Sequence, residues 1–154
     1  MSASPAPNNV HGTAVVLGDR GILITGPSGS GKSTLALELI GRFGSQGRFA
    51  RLVADDQIFV NGRAGRLVGQ APPPIAGLVE VRGLGPHPLK TEPAAVIDLV
   101  VRLVPEDELV RLQEEAVEVI AGCTLPRIDL PARNVISAVQ MLISWLKMPP
   151  FGAD

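Results

Sequence analysis

The chain has 154 residues, enough for one domain with a core of its own. Hydrophobic residues make up 45% but aromatics only 3%, with no tyrosine, so the interior has to be built from Val, Leu, Ile and Ala. With 14 Lys and Arg against 15 Asp and Glu, the net charge of −1 excludes a general attraction to nucleic acid or anionic membrane, and the single Cys123 excludes an internal disulfide. A lone cysteine suits a reducing compartment. With no basic-then-apolar leader and no apolar run of spanning length, the expectation is a soluble cytoplasmic protein.

Residues 1–9 are rich in Ser, Pro, Ala and Asn and read as a frayed tail. Thr13 to Gly18 and Gly21 to Thr25 read as two strands of a hairpin turning at Asp19-Arg20. From Lys32 to about Phe43 the apolar residues Leu35, Leu39 and Phe43 fall four apart on one helical face, with Gly44 as the expected cap. Arg51 to Ala54 reads as a short buried strand ending in Asp55-Asp56. Gln57 to Val60 and Gly65 to Gly69 flank Asn61-Gly62, a hairpin signal. Pro72-Pro73-Pro74 breaks the chain, and Leu78 to Arg82 reads as a strand running into the glycine-rich Gly83-Leu84-Gly85.

Ala94 to Leu103 is the longest apolar run and reads as a central strand, followed by a proline-first acidic helix start at Pro105-Glu106-Asp107-Glu108. Val117 to Ile120 and Ile128 to Leu130 are strand-like. Arg133 to Leu146 carries Val135, Val139, Leu142 and Leu146 on one face, an amphipathic closing helix. The domain is expected to span residues 10–147, with 148–154 as a C-terminal tail. The fold class is α/β: a mixed sheet with hairpins, flanked by a few helices, without the strict strand–helix alternation of a small-molecule kinase.

The chemistry centres on Gly26-Pro27-Ser28-Gly29-Ser30-Gly31-Lys32-Ser33, a complete G-x-x-x-x-G-K-[ST] phosphate loop between a strand and a helix, with Thr34 following. Glycines let successive backbone N–H groups turn toward phosphate oxygens, and the helix N-terminus adds positive potential. Lys32 is expected at the β- and γ-phosphates of a nucleotide and Ser33 on Mg²⁺. Asp55-Asp56 follows a buried strand, so one acid can serve the metal while the other accepts a proton. Glu80 and Arg82 share one face of a strand; Glu80 is a second candidate metal ligand. On spacing alone, His11, Arg111 and Arg133 read as ordinary solvated side chains, either arginine being able to neutralise a transferring phosphate.

Together, His11-Gly12, the phosphate loop, Leu52-Val53-Ala54-Asp55-Asp56, Ala71-Pro72-Pro73, Glu80-Val81-Arg82-Gly83-Leu84-Gly85 and Arg133-Asn134 resemble the catalytic domain of the bacterial HPr kinase/phosphorylases. The likeness runs from about His11 to about Ile143. It implies a fold of the HPr kinase/PEP carboxykinase type and an ATP- and Mg²⁺-dependent serine kinase acting on HPr, the phosphocarrier of the sugar phosphotransferase system. It also implies the reverse reaction, in which inorganic phosphate attacks seryl-phosphate and pyrophosphate leaves. By motif, Asp56 is similar to the family's proton acceptor, Lys32 and His11 to active-site positions, and Ser33 and Glu80 to Mg²⁺ ligands, with Asp55 assisting. Arg111, in Val110-Arg111-Leu112, is similar to a catalytic arginine. The resemblance further implies a homo-oligomer, a hexamer in the family.

The expectation is a short form of the family, without the separate N-terminal domain that typical members carry. The sequence also compresses the usual Pro-x-x-x-Gly-Arg-Asn, a region linked in the family to dephosphorylation, to Pro131-Ala132-Arg133-Asn134. Two other readings stand beside this one: a phosphate-loop small-molecule kinase or NTPase, and a nucleotide-binding regulatory module without catalysis.

Overall fold

The structure, a computed structural model, describes residues 8–149 and 151. Strand β1 (Asn8–Leu17) and β2 (Arg20–Thr25) form the first hairpin, turning at Gly18-Asp19, and α1 (Lys32–Ser45) follows the phosphate loop. Next come β3 (Ala50–Ala54), β4 (Gln57–Arg63), β5 (Arg66–Gln70), β6 (Leu78–Val81) and β7 (Gly85–Pro88). The chain continues through β8 (Ala94–Ile97), β9 (Leu99–Val104), β10 (Ala116–Ile120) and β11 (Cys123–Pro131) to α2 (Val135–Trp145). Asn8 and Asn9 already pair with Val60 and Phe59; the rest of the expected N-terminal tail, and residues 150 and 152–154 of the C-terminal one, lie outside the described residues. No helix among the described residues is long and apolar enough to cross a membrane.

Nine strands make one mixed sheet in the order β10-β11-β9-β2-β1-β4-β5-β8, with β3 added against β1, while β6 and β7 form a separate hairpin. β2 runs antiparallel to β1 and parallel to β9, and β9 is parallel to β11. Alternation along the strands sends Val15, Leu17, Ile22, Ile24, Leu99 and Val101 to one face. There they meet Leu35, Leu39 and Phe43 of α1 and Val139, Leu142 and Ile143 of α2. Ala14, Leu23 and Val100 point the other way, into a second core with Ile58, Leu67 and Ile97. Both cores are aliphatic, as the composition requires. The central strand β2 is thus covered on both faces, and the loop that leaves its end is anchored on a rigid base.

Four local readings of the sequence are corrected. The β4–β5 turn lies at Ala64-Gly65, both at positive φ (52° and 78°), and Asn61-Gly62 sits within β4. Gly62 is needed there for close approach: a Cβ would lie 2.8 Å from the Ala121 carbonyl oxygen. Helix α1 runs past Gly44 to Ser45 and is closed by the left-handed Gly47 (φ 69°), where Arg48 N–H reaches Phe43 O and Gly47 N–H reaches Gly44 O.

The apolar run from Ala94 is two strands, because the chain bends at Asp98: its backbone N–H donates to Gly21 O, and its carboxylate accepts the Gly21 N–H. The acidic helix start is a single 3₁₀ turn, Glu106–Glu108. Beyond it, Gln113 donates to Asp129 O and accepts from Asp129 N–H, so its amide replaces a backbone partner beside β11 and holds the segment out of a helix.

Candidate active site

Lys32 opens α1, and the helix has no side-chain cap at its N-terminus; Gly31 precedes it at φ 99°. The first-turn N–H groups are therefore presented to the loop, the arrangement that favours an anion. The Lys32 side chain is buried and its ammonium donates to Gly26 O (2.9 Å) and Pro27 O (3.2 Å), curling under the loop. Burial pushes the Lys32 pKa down, and the nearby Asp56 and Asp55 carboxylates push it back up without cancelling the shift. Ser30, 3% exposed, keeps a buried hydroxyl with no partner among the described residues.

Asp55 and Asp56 turn the corner between β3 and β4 and have opposite environments. Asp55 is buried and its carboxylate accepts three hydrogen bonds: Thr13 Oγ1 (2.8 Å) and Ser33 Oγ (2.6 Å) on Oδ1, and Glu80 N–H (2.7 Å) on Oδ2. Because Ser33 spends its proton on Asp55, its oxygen lone pairs are left for another electrophile. The Asp56 side chain is 63% exposed at the lip of the cleft, with Oδ1 2.8 Å from His11 Nε2. With the carboxylate ionised, the imidazole N–H donates to it and fixes its direction.

These groups line one side of an open cleft of about 1040 Å³, shared with the phosphate loop, Pro74, Glu80, Arg82 and Arg133. The β6–β7 hairpin stands beside it, anchored by buried Val79 and by the Glu80 N–H bond to Asp55. The structure brings Ser28, Gly29, Gly31, Lys32, Ser33, Thr34, Asp55, Asp56 and Glu80 to this cleft, while Gly26 and Pro27 hold the lysine. His11 joins through Asp56. Arg111 does not join: it is exposed in the segment after the 3₁₀ turn and does not line the cleft.

Two residues that spacing alone left unassigned or solvated take part. Arg133, at φ 56°, donates its side-chain Nε–H to Gly29 O (2.9 Å) and its backbone N–H to Ser30 O (3.1 Å), setting a guanidinium against the phosphate loop. Thr13 is fully buried beside both aspartates. Its signal was available: Thr13, Val15 and Leu17 share one strand face, and a lone hydroxyl on a buried face needs a polar partner.

For a divalent cation, the donor set here is hard oxygen: the Ser33 hydroxyl and the Glu80 carboxylate, with Asp55 behind Ser33. Among the described residues no cluster of three His, Cys, Asp or Glu forms an all-protein metal cage. A Mg²⁺ ion held by few side chains together with phosphate oxygens and water fits such a set.

Comparison with known proteins agrees with this architecture. The HPr Serine kinase C-terminal domain profile matches residues 4–146. The HPr kinase/phosphorylase of Limosilactobacillus reuteri (strain DSM 20016) is 36% identical over 138 residues, covering 82% of this chain and 41% of that protein. That of Geobacter sulfurreducens is 36% identical over 148 residues, covering 86% and 44%. The chain therefore spans less than half the length of these relatives. Among solved structures, the Hpr(Ser) kinase/phosphatase from Coxiella burnetii superimposes with a TM-score of 0.74 at 26% identity, covering 88% of each chain. On the profile match over nearly its whole length, this chain belongs to the HPr Serine kinase C-terminal domain family.

Proposed function

We propose that this protein is an ATP- and Mg²⁺-dependent serine kinase that phosphorylates an HPr-type phosphocarrier, and that it also phosphorolyses the seryl-phosphorylated product. The observation that carries the reading is the juxtaposition of an exposed, histidine-oriented Asp56 with a phosphate loop whose Lys32 and Ser33 share the same cleft. A serine hydroxyl is a weak nucleophile, and an aspartate at the lip of a phosphate site supplies a proton acceptor and alignment together.

In the forward direction the seryl oxygen forms a bond to the γ-phosphorus as the bond to the β,γ-bridging oxygen breaks; Asp56 takes the seryl proton. The ADP oxygen carries the leaving electron pair, and Lys32 with Arg133 stabilises the transferring charge. In reverse, an oxygen of hydrogen phosphate forms a bond to the seryl-phosphoryl phosphorus as the bond from that phosphorus to the seryl oxygen breaks; pyrophosphate leaves, and the seryl oxygen takes up, through Asp56, the proton that the attacking phosphate gives up. Mg²⁺, when bound with the nucleotide, neutralises the phosphates. Ser33 and Glu80 would hold it, with Asp55 acting through Ser33.

Support for the protein substrate comes from family membership and from an exposed, open cleft that a folded partner can reach. The test is transfer from γ-labelled ATP onto HPr. An acid-stable phosphoserine is expected, followed by pyrophosphate release once phosphate is added. Nucleotide binding without any transfer would contradict the reading and favour a regulatory module.

A further inference from the structure

We propose that Thr13 is a positioning residue of the phosphoryl-transfer site, acting through Asp56. The inference rests on the reading of Asp56 as the proton acceptor. Asp56 stands at φ 68°, a left-handed conformation uncommon outside glycine that aspartate reaches more readily than most residues and that neighbouring contacts select here. The regular ladder does not do this: β1 pairs with β3 from Ala14 onward and with β4 up to His11, leaving the corner Asp55-Asp56 opposite Gly12-Thr13.

Three consecutive residues hold the corner instead. The His11 ring meets the Asp56 carboxylate, Gly12 N–H donates to Asp56 O (3.0 Å), and Thr13 Oγ1 accepts the Asp56 N–H (3.3 Å). Side chain, carbonyl and amide of Asp56 are thus each fixed by one residue of β1.

Of these, the Thr13 hydroxyl alone also reaches Asp55. Its proton is committed to Asp55 Oδ1, which leaves a lone pair for Asp56 N–H, so the direction of both bonds is set. Asp55 Oδ1 in turn receives the Ser33 hydroxyl. One buried hydroxyl therefore joins the backbone amide of Asp56, whose carboxylate stands at the cleft lip, to the phosphate-loop side of the cleft. Valine would fill the same volume without that node; serine would keep it.

The experiment compares Thr13→Val and Thr13→Ser with the native protein in ATP binding, in transfer to HPr and by crystal structure. Thr13→Val is expected to lower kcat by about 10²-fold, the cost of a misaligned reacting group, while ATP affinity stays near native. Thr13→Ser is expected to restore kcat. In the Thr13→Val crystal structure Asp56 should leave its left-handed conformation and the His11–Asp56 contact should lengthen.

Native turnover in Thr13→Val, or equal loss in Thr13→Val and Thr13→Ser, would overturn the proposal. So would an Asp56 that keeps its conformation and its His11 contact without the hydroxyl. Should the valine variant not fold, Thr13→Ala carries the same comparison. If the native protein transfers nothing to HPr, the kinase reading fails, and the Asp56 geometry in the variant still decides the role of Thr13.

Discussion

Lys32 is the residue at which binding and stability oppose each other. Its folded pKa lies below the ordinary 10.5, because burial disfavours the ammonium more than Asp56 and Asp55 favour it. In the window between the folded value and 10.5 the unfolded chain binds more protons, so this group makes stability rise with pH up to that limit. Below the window the buried charge is a net cost. Replacing Lys32 with Met removes the titration, so the stability of the native protein relative to Lys32→Met should improve as pH is raised from neutral toward 10.5. Thermal melts of the two proteins across that range read the trend; a difference independent of pH would contradict it. Arg133 and Thr13 work by long-range contacts: a lone hydroxyl on a buried strand face signals that Thr13 needs a polar partner, but no local pattern says which. The Arg133–Gly29 and Thr13–Asp55 hydrogen bonds link residues 104 and 42 positions apart. The motif residues were legible because their chemistry is local; their supports were not, because the fold alone creates them.

At the level of elements, the bend between β8 and β9 lets one run of chain serve two neighbours, with β8 against β5 and β9 against β2. Gly21 makes that crossing possible, since an added Cβ would fall 1.9 Å from the Val96 carbonyl oxygen. Backbone has nowhere to yield at such a distance. Gly21→Ala is expected to destabilise the protein by about 3 kcal/mol or more, read as a lower urea midpoint. An unchanged midpoint would mean that β8 does not cross β2 this closely. The same element explains a misread sequence: Ala94 to Leu103 is uniformly apolar, so periodicity could not reveal a corner that depends on Asp98 meeting Gly21. Asn61-Gly62 misled for the reverse reason. Its glycine answers to a distant backbone at Ala121, whereas the turn itself uses Ala64-Gly65. By contrast the existence and buried faces of β2, α1 and α2 were legible, though not the exact helix ends, because the phosphate loop and the helical spacing of Leu35, Leu39, Val139 and Leu142 are strong local signals.

For the whole molecule, the cleft is assembled from six separated stretches: His11 to Thr13, the phosphate loop, the Asp55-Asp56 corner, Pro74, the β6–β7 hairpin and Arg133. All but Arg133 lie in the N-terminal two thirds of the chain, and Arg133 is delivered by the turn between β11 and α2. Ligand binding to such a site should stabilise the folded state as a unit, by about 2.7 kcal/mol at a hundredfold excess over Kd.

The central claim is that Asp56 activates a serine for attack on a nucleotide held by the phosphate loop. It is tested most directly by measuring phosphate transfer from ATP to HPr and ATP affinity together, in native protein and in Asp56→Asn. A fall in kcat of about 10²–10⁴-fold is expected, with ATP affinity nearly unchanged. Transfer by Asp56→Asn at the native rate would contradict it.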